Sequence, residues 1–276
     1  MALRGVDISE HNGSVDFAAL KNAGVAFVIL RLGYGSDYTN QDDKRFAENV
    51  RKAEAAGLPW GAYLYSYART TAMAKSEAQH ALRLLGGKKP LYGVWFDVED
   101  TQIAQADLTA TCRTFCDTLE AAGLYAGIYA SLSWLTAKLS SAQLDRYDKW
   151  VAQWNSSCTY SKAYGIWQYT DKLVIGGKNF DGNYAYKDYP AIVLGMNQPE
   201  EEEEEETMLT YDQWKDYMER YQEEQANKAV SDWAQEAVDF VKAQGYMSGD
   251  TDGKFRPQSP ITRQEVAAVL QNALGE

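Results

Sequence analysis

The segment Tyr92-Gly93-Val94-Trp95-Phe96-Asp97-Val98-Glu99-Asp100 sets an apolar run directly ahead of a group of acids. Val94-Trp95-Phe96 is β-branched and aromatic, which predicts a buried strand. Side chains at i and i+2 of a strand point the same way, so Asp97 and Glu99 share one face at its C-terminal end. Two carboxyls held side by side resist ionising together, and one keeps its proton near neutral pH. Acid-catalysed cleavage of a glycosidic bond needs such a group. Acids that cap the next helix or face water would produce the same letters, and the segment alone does not separate the two readings.

Further strands are expected at Gly5–Ser9, Ala26–Leu32, Trp60–Tyr67, Leu91–Val98 and Tyr125–Ala130. Helices are expected between them at Asp16–Ala23, Lys44–Ala56, Thr71–Leu85 and Leu108–Ala122, each stopping near a glycine (Gly24, Gly57, Gly86, Gly123). Such alternation predicts a parallel sheet. Strands then recur at Lys149–Trp154, Gly165–Tyr169 and Asn179–Asn183, across gaps that look too short for parallel crossovers. The fold class is therefore α/β, an irregular βα barrel of five βα units followed by three helix-poor strands. Sites in such barrels form at the C-terminal strand ends. Asp7 lies on the first strand and Asp181 on the last, which are neighbours once a barrel closes. With Asp97 and Glu99 they place four carboxyls around one cleft, although Asp181 before Gly182 also reads as a turn aspartate.

At 276 residues the chain has room for one large domain and a small one. Its formal charge of −12 lies wholly beyond residue 199, since the residues before it carry balanced charge. No basic face suggests nucleic acid, and no segment is long and apolar enough to span a membrane. The 19 Tyr and 8 Trp suit either sugar platforms or barrel core. Cys112, Cys116 and Cys158 do not form a disulfide framework. His11 and His80 are isolated, no cluster has zinc spacing, and no metal or cofactor is expected. His11 lies near a strand end and is a weaker substrate candidate.

Residues 198–207 hold Glu200–Glu206 and read as an acidic linker. Beyond it Tyr211, Trp214, Tyr217, Met218 and Tyr221 fall at helical spacing. Trp233, Ala237, Phe240 and Val241 make a second stripe. A last helix is expected from a Thr262/Glu265 capping box through Leu274. The Asp250/Asp252/Gly253 loop lacks the terminal acid of a calcium loop. The expected division is a barrel at 1–197, the linker at 198–207 and a helical domain at 208–276.

Residues 1–195 resemble glycoside hydrolase family 25, the Chalaropsis-type lysozymes of bacteria and phage endolysins. The resemblance is carried by Gly5-Val6-Asp7-Ile8-Ser9, Gly61-Ala62-Tyr63, Phe96-Asp97-Val98-Glu99, Gly127-Ile128-Tyr129, Trp167-Gln168-Tyr169 and Phe180-Asp181-Gly182-Asn183. It implies a flattened barrel and hydrolysis of β-1,4 bonds between N-acetylmuramic acid and N-acetylglucosamine. It also implies that Asp7, Asp97, Glu99 and Asp181 are the catalytic carboxylates. Glu99 would be the general acid, and Asp97 would raise its pKa through like charge and orient the substrate's acetamido group. Asp7 and Asp181 would position Asp97, with retention through substrate assistance. Tyr65, Tyr129, Trp154 and Gln168 are candidates for substrate contact. Residues 231–274 resemble one S-layer homology repeat, through Trp233-Ala234, Gly245-Tyr246, Gly253-Lys254-Phe255-Arg256-Pro257 and Ile261-Thr262-Arg263-Gln264-Glu265. That likeness implies binding to a secondary cell-wall polymer, with Arg263 the first candidate contact.

Two rival readings remain at this stage, a wall-binding protein with an inactive barrel and a chitinase-like glycosidase. No signal peptide is visible, so synthesis in the host cytoplasm and release onto the wall, as in an endolysin, is the expectation. Glutamate codons are purine-rich, so a second translation start at Met208 is a further expectation. It would yield a C-terminal fragment able to join a homo-oligomer or complex through the aromatic helix.

Overall fold

Eight strands close into one barrel in the order in which they occur in the chain. The structure, a computed structural model, describes residues 2–196, 210–249 and 254–275. The strands are β1 (Leu3–Ile8), β2 (Phe27–Tyr34), β3 (Trp60–Tyr65), β4 (Val94–Asp97), β5 (Ala126–Ser131), β6 (Asp148–Ala152), β7 (Ile166–Ile175) and β8 (Lys178–Ala185). Pairing is parallel from β1 through β7, and β8 runs antiparallel to both β7 and β1. Helices α1 (Phe17–Asn22), α2 (Phe46–Ala56), α3 (Thr71–Leu85) and α4 (Leu108–Ala121) occupy the first four links. Asp16, Thr70 and Asp107 cap α1, α3 and α4 by accepting a backbone N–H three residues on. The short α5 (Leu132–Ala137) follows β5, and α6 (Tyr189–Met196) follows β8.

Alternation along each strand sorts the side chains into two layers. Val28, Leu30, Val94, Phe96, Val98 and Ile128 pack outward with helix residues such as Leu20, Ala78 and Phe115. Phe27, Ile29, Trp95, Tyr129, Trp150 and Ile166 form a second cluster inside the barrel. Large rings fit there because neighbouring strands present glycine. A Cβ on Gly127 would lie 2.3 Å from the Trp95 ring. Gly127→Ala should therefore cost about 1–3 kcal/mol through overpacking, seen as a lowered midpoint in urea unfolding. An unchanged midpoint would show that the Trp95 ring yields freely.

The expected strands and main helices are present, with two differences among the last three strands and one helix, α6, that was not expected. The link from β6 to β7, expected to be too short for a parallel crossover, makes one without a helix. Strand β6 stops at Ala152 rather than Trp154, which lengthens the link to residues 153–165. Gln153 organises it, its Oε1 accepting from Thr159 N at 2.7 Å and its carbonyl from Trp167 Nε1 at 2.8 Å. The hairpin of β7 and β8 also runs longer than predicted, because shifts of register at Gln168/Thr170 and Thr170/Leu173 break the alternation.

The contacts divide the chain into two units, Met1–Pro199 and Glu200–Glu276. In the second, α7 (Tyr211–Ala226) and α9 (Arg263–Leu274) open on reciprocal Thr210/Gln213 and Thr262/Glu265 capping boxes. Between them lies α8 (Gln235–Ala243). Ala226 alone is buried among the described residues of this unit. Tyr211, Trp214, Tyr217 and Tyr221 on α7 and Trp233, Phe240, Leu270 and Leu274 are exposed. No described helix is long and apolar enough to cross a membrane. The acidic linker, Met208 and the 250–253 loop lie outside the described residues.

Candidate active site

Strand register places Asp7 and Asp181 directly opposite each other, on β1 and β8. Asp7 Oδ2 accepts from Gln168 Nε2 at 3.0 Å and from Asn183 Nδ2 at 2.8 Å, and its carboxyl also meets that of Asp181. Burial first, and then the charge of Asp181, hold Asp7 well above the usual carboxylate range. Asp181, less buried, is raised mainly by burial. Burial thus favours a proton on the deeper Asp7 over Asp181. Asp181 is thus a mid-strand residue of the site, where its sequence neighbours suggested a turn.

Asp97 ends β4 on the inner face. Burial, then the charges of Glu99 and Asp7, push its carboxyl well up, while Arg31 pulls it back. Its Oδ1 is buried without a hydrogen-bond partner. Glu99, two residues on and half-buried, is also raised. Burial is the main cause, the neighbouring Tyr129 hydroxyl opposes it, and Asp181 and Asp100 add to it. The expectation that Asp97 raises Glu99 by like charge thus runs the other way round. Asp97 lies deeper, holds its proton more firmly, and receives the repulsion of Glu99.

The substrate candidates divide by burial. Tyr129 and Gln168 lie inside the hydrogen-bond lattice, with Tyr129 Oη donating to Gln168 Oε1 at 3.1 Å. Trp154 Nε1 donates to the same oxygen at 3.1 Å, so the amide of Gln168 must face Asp7 with its nitrogen. Trp154 is 60% exposed and offers a flat face at the rim. Tyr65 is half-buried and donates to Asp100 Oδ2 at 3.2 Å. Arg263 is an exposed residue at the start of α9 in the other unit, and Glu265 bonds Thr262 rather than Arg263. His11 sits exposed in a short turn after β1. His80 is buried, its ring bonded to Gly35 O and Asp42 Oδ1, and belongs to the scaffold.

Several residues of the site carry no role in the sequence reading. Asn183 fixes Asp7 and accepts from Trp150 Nε1 at 2.8 Å. Its signal was its place two residues after Asp181 on one face. Arg31, buried on β2, bonds Asp43 at 2.9 Å and Glu10 at 3.1 Å. A charge inside the apolar run Phe27-Val28-Ile29-Leu30 was its signal. Among the described residues no group of acids, cysteines and histidines has the form of a metal site. The arrangement can hold and deliver protons between buried carboxyls and present an unpartnered carboxyl oxygen to a polar ligand group.

Comparison with known proteins finds likenesses for two regions of the chain. The model of the S-layer homology domain matches residues 228–267. The chain is 30% identical over 177 residues to an autolytic lysozyme of Clostridium acetobutylicum, covering 63% of this chain and 52% of that protein. This chain thus spans about half the length of that relative. A stretch of 45 residues is 44% identical to cell surface glycoprotein 1 of Acetivibrio thermocellus, covering 16% of this chain and 2% of that one. The catalytic domain of an endolysin from bacteriophage P40 of Listeria monocytogenes superposes with a TM-score of 0.60 and 26% identity, covering 71% of this chain and 98% of that one. The model of glycosyl hydrolases family 25 matches residues 6–178, and the chain belongs to that family.

Proposed function

We propose that the barrel is an N-acetylmuramidase, a lysozyme that cleaves the β-1,4 bond between N-acetylmuramic acid and N-acetylglucosamine in bacterial peptidoglycan. The observation that carries this reading is the Asp97–Glu99 pair, a buried and a half-buried acid both held above their usual range, with Asp97 Oδ1 unpartnered. Glu99 protonates the leaving glycosidic oxygen. Asp97 orients the acetamido group, whose oxygen bonds to the anomeric carbon as the glycosidic bond breaks. Water then opens that ring from the face the leaving group vacated, giving its proton to Glu99 and retaining configuration. Asp7 and Asp181, with Gln168 and Asn183, fix the charge state and position of Asp97. Tyr65, Tyr129 and Trp154 line the sugar path. Soluble saccharide should be released from purified peptidoglycan and not from chitin. Release from chitin alone would make it a chitinase-like enzyme, and release from neither would make it a wall-binding protein.

The chain works as an endolysin or autolysin, made in the host cell and acting on the wall after release. In this reading residues 1–197 catalyse, 198–207 link, and 208–276 bind a secondary wall polymer, with Arg263 as one contact. The exposed aromatic face of α7 joins copies of the C-terminal unit, with or without a fragment starting at Met208. The described residues of that unit bury little of their own apolar surface, which supports a partner on this face. Sedimentation should give the full chain as an oligomer, reduced to monomer by Trp214→Ser with Tyr217→Ser. A wild-type monomer at tens of micromolar (roughly the range where such faces pair) would contradict this. Mass spectrometry of protein from the native gene tests the fragment directly.

A further inference from the structure

Glu77 lies on α3, outside the carboxyl cluster, and is completely buried. Its neighbours on the buried face of the helix are mostly apolar, among them Ala74, Ala78, Ala81 and Leu85. Among the described residues no cation offsets it: burial raises the carboxyl to about 7, opposed by hydrogen bonds from Ser66 and Tyr67. An apolar residue would occupy such a place at lower cost, so the acid calls for an account in terms of what it holds.

It holds the turn after β3. Glu77 Oε2 accepts from Ser66 Oγ at 2.7 Å, and Oε1 accepts from Tyr67 N at 2.8 Å. Ser66 Oγ in turn accepts from Ala68 N at 3.1 Å. The same turn reaches the carboxyls by its backbone, since Ser66 N donates to the carbonyl of Asp97 at 2.9 Å. Tyr65, the residue before, pairs with Asp97 in register and bonds Asp100. Tyr67 packs its ring against Tyr65, centroids 5.3 Å apart.

We propose that Glu77 is a positioning residue for the active site, anchoring through Ser66 and Tyr67 the turn that fixes both the aromatic wall and the Asp97 end of β4. The inference rests on the muramidase reading of that site. Loss of the anchor lets the turn move relative to β4, and a displacement on the order of 1 Å in such a site costs up to ~10²-fold in rate. Glutamine supplies the anchor without the charge, its Oε1 accepting from Tyr67 N and its Nε2 donating to Ser66 Oγ.

The test compares kcat and KM, per folded molecule, on solubilised peptidoglycan for wild type, Glu77→Ala, Glu77→Gln and Leu85→Ala. Leu85 is buried at the far end of α3 and controls for loss of stability alone. Glu77→Ala should lose about tenfold or more in kcat/KM, with kcat affected, while Glu77→Gln stays within about threefold of wild type (under 1 kcal/mol). Leu85→Ala should lower Tm without that loss. Should Glu77→Ala fail to fold, Ser66→Ala removes one arm of the anchor and should lower kcat. Unimpaired turnover in the alanine variants at Glu77 or Ser66, an equal loss in Leu85→Ala, or no rescue by glutamine would each overturn the proposal. Absence of wild-type turnover would remove the muramidase reading and this inference with it, whereas an active wild type with an unimpaired Glu77→Ala removes this inference alone.

Discussion

Glu99→Gln is expected to abolish clearing of cell walls, lowering turnover by about 10²–10⁴-fold, the usual contribution of a general acid, with the barrel intact. The glutamine keeps the shape and the contact with Tyr129 but carries no proton that can pass to a leaving oxygen. Because burial holds Glu99 above its ordinary range, a neutral residue there should not weaken the fold. Turnover on purified peptidoglycan and a thermal melt read the two parts separately. Retained turnover would remove Glu99 from its role, and a collapsed melt would mean that its place is structural.

Asp97→Asn should combine the second-largest loss of activity with a gain in stability. A folded-state carboxyl raised above its unfolded value contributes stability below the unfolded pKa of about 3.9, and that stability is lost as pH climbs toward the folded value. Asp97 is raised by burial and by Glu99 and Asp7, so wild type carries this penalty at neutral pH. Asparagine does not titrate, and no hydrogen bond of Oδ1 is lost with it. Tm should therefore rise at pH 7 by roughly 2–4 °C for each kcal/mol relieved, and the advantage should vanish near pH 4. Turnover should fall by about 10²-fold or more through loss of the oriented acetamido group. A lower Tm at pH 7, or an advantage that grows toward acid, would contradict the origin assigned to the Asp97 shift.

The carboxyl cluster was legible because strand parity is a strict rule. Asp97 and Glu99 were expected on one face, although β4 itself stops at Asp97, and closure of a barrel had to bring β1 to β8. Asp181 shows the limit of local reading, since its neighbour Gly182 favoured a turn and only the pairing with Asp7 places it mid-strand. The order of proton affinity was not legible, because it depends on which carboxyl lies deeper. The length of β7 was hidden by its shifts of register. Helix α6 reads as apolar on every side and so lacks a helical stripe. Glu77 looked like one more charge on an amphipathic helix, and its meaning lies in the turn that α3 happens to cover.

The most direct measurement is digestion of purified Gram-positive peptidoglycan by the wild-type chain, with the new chain ends reduced by borohydride and identified by mass spectrometry. New reducing-end muramic acid is the predicted result, and it fixes the bond cut and with it the oxygen that has to be protonated. New reducing-end glucosamine, or no new ends on walls that a known muramidase digests, would contradict the muramidase assignment.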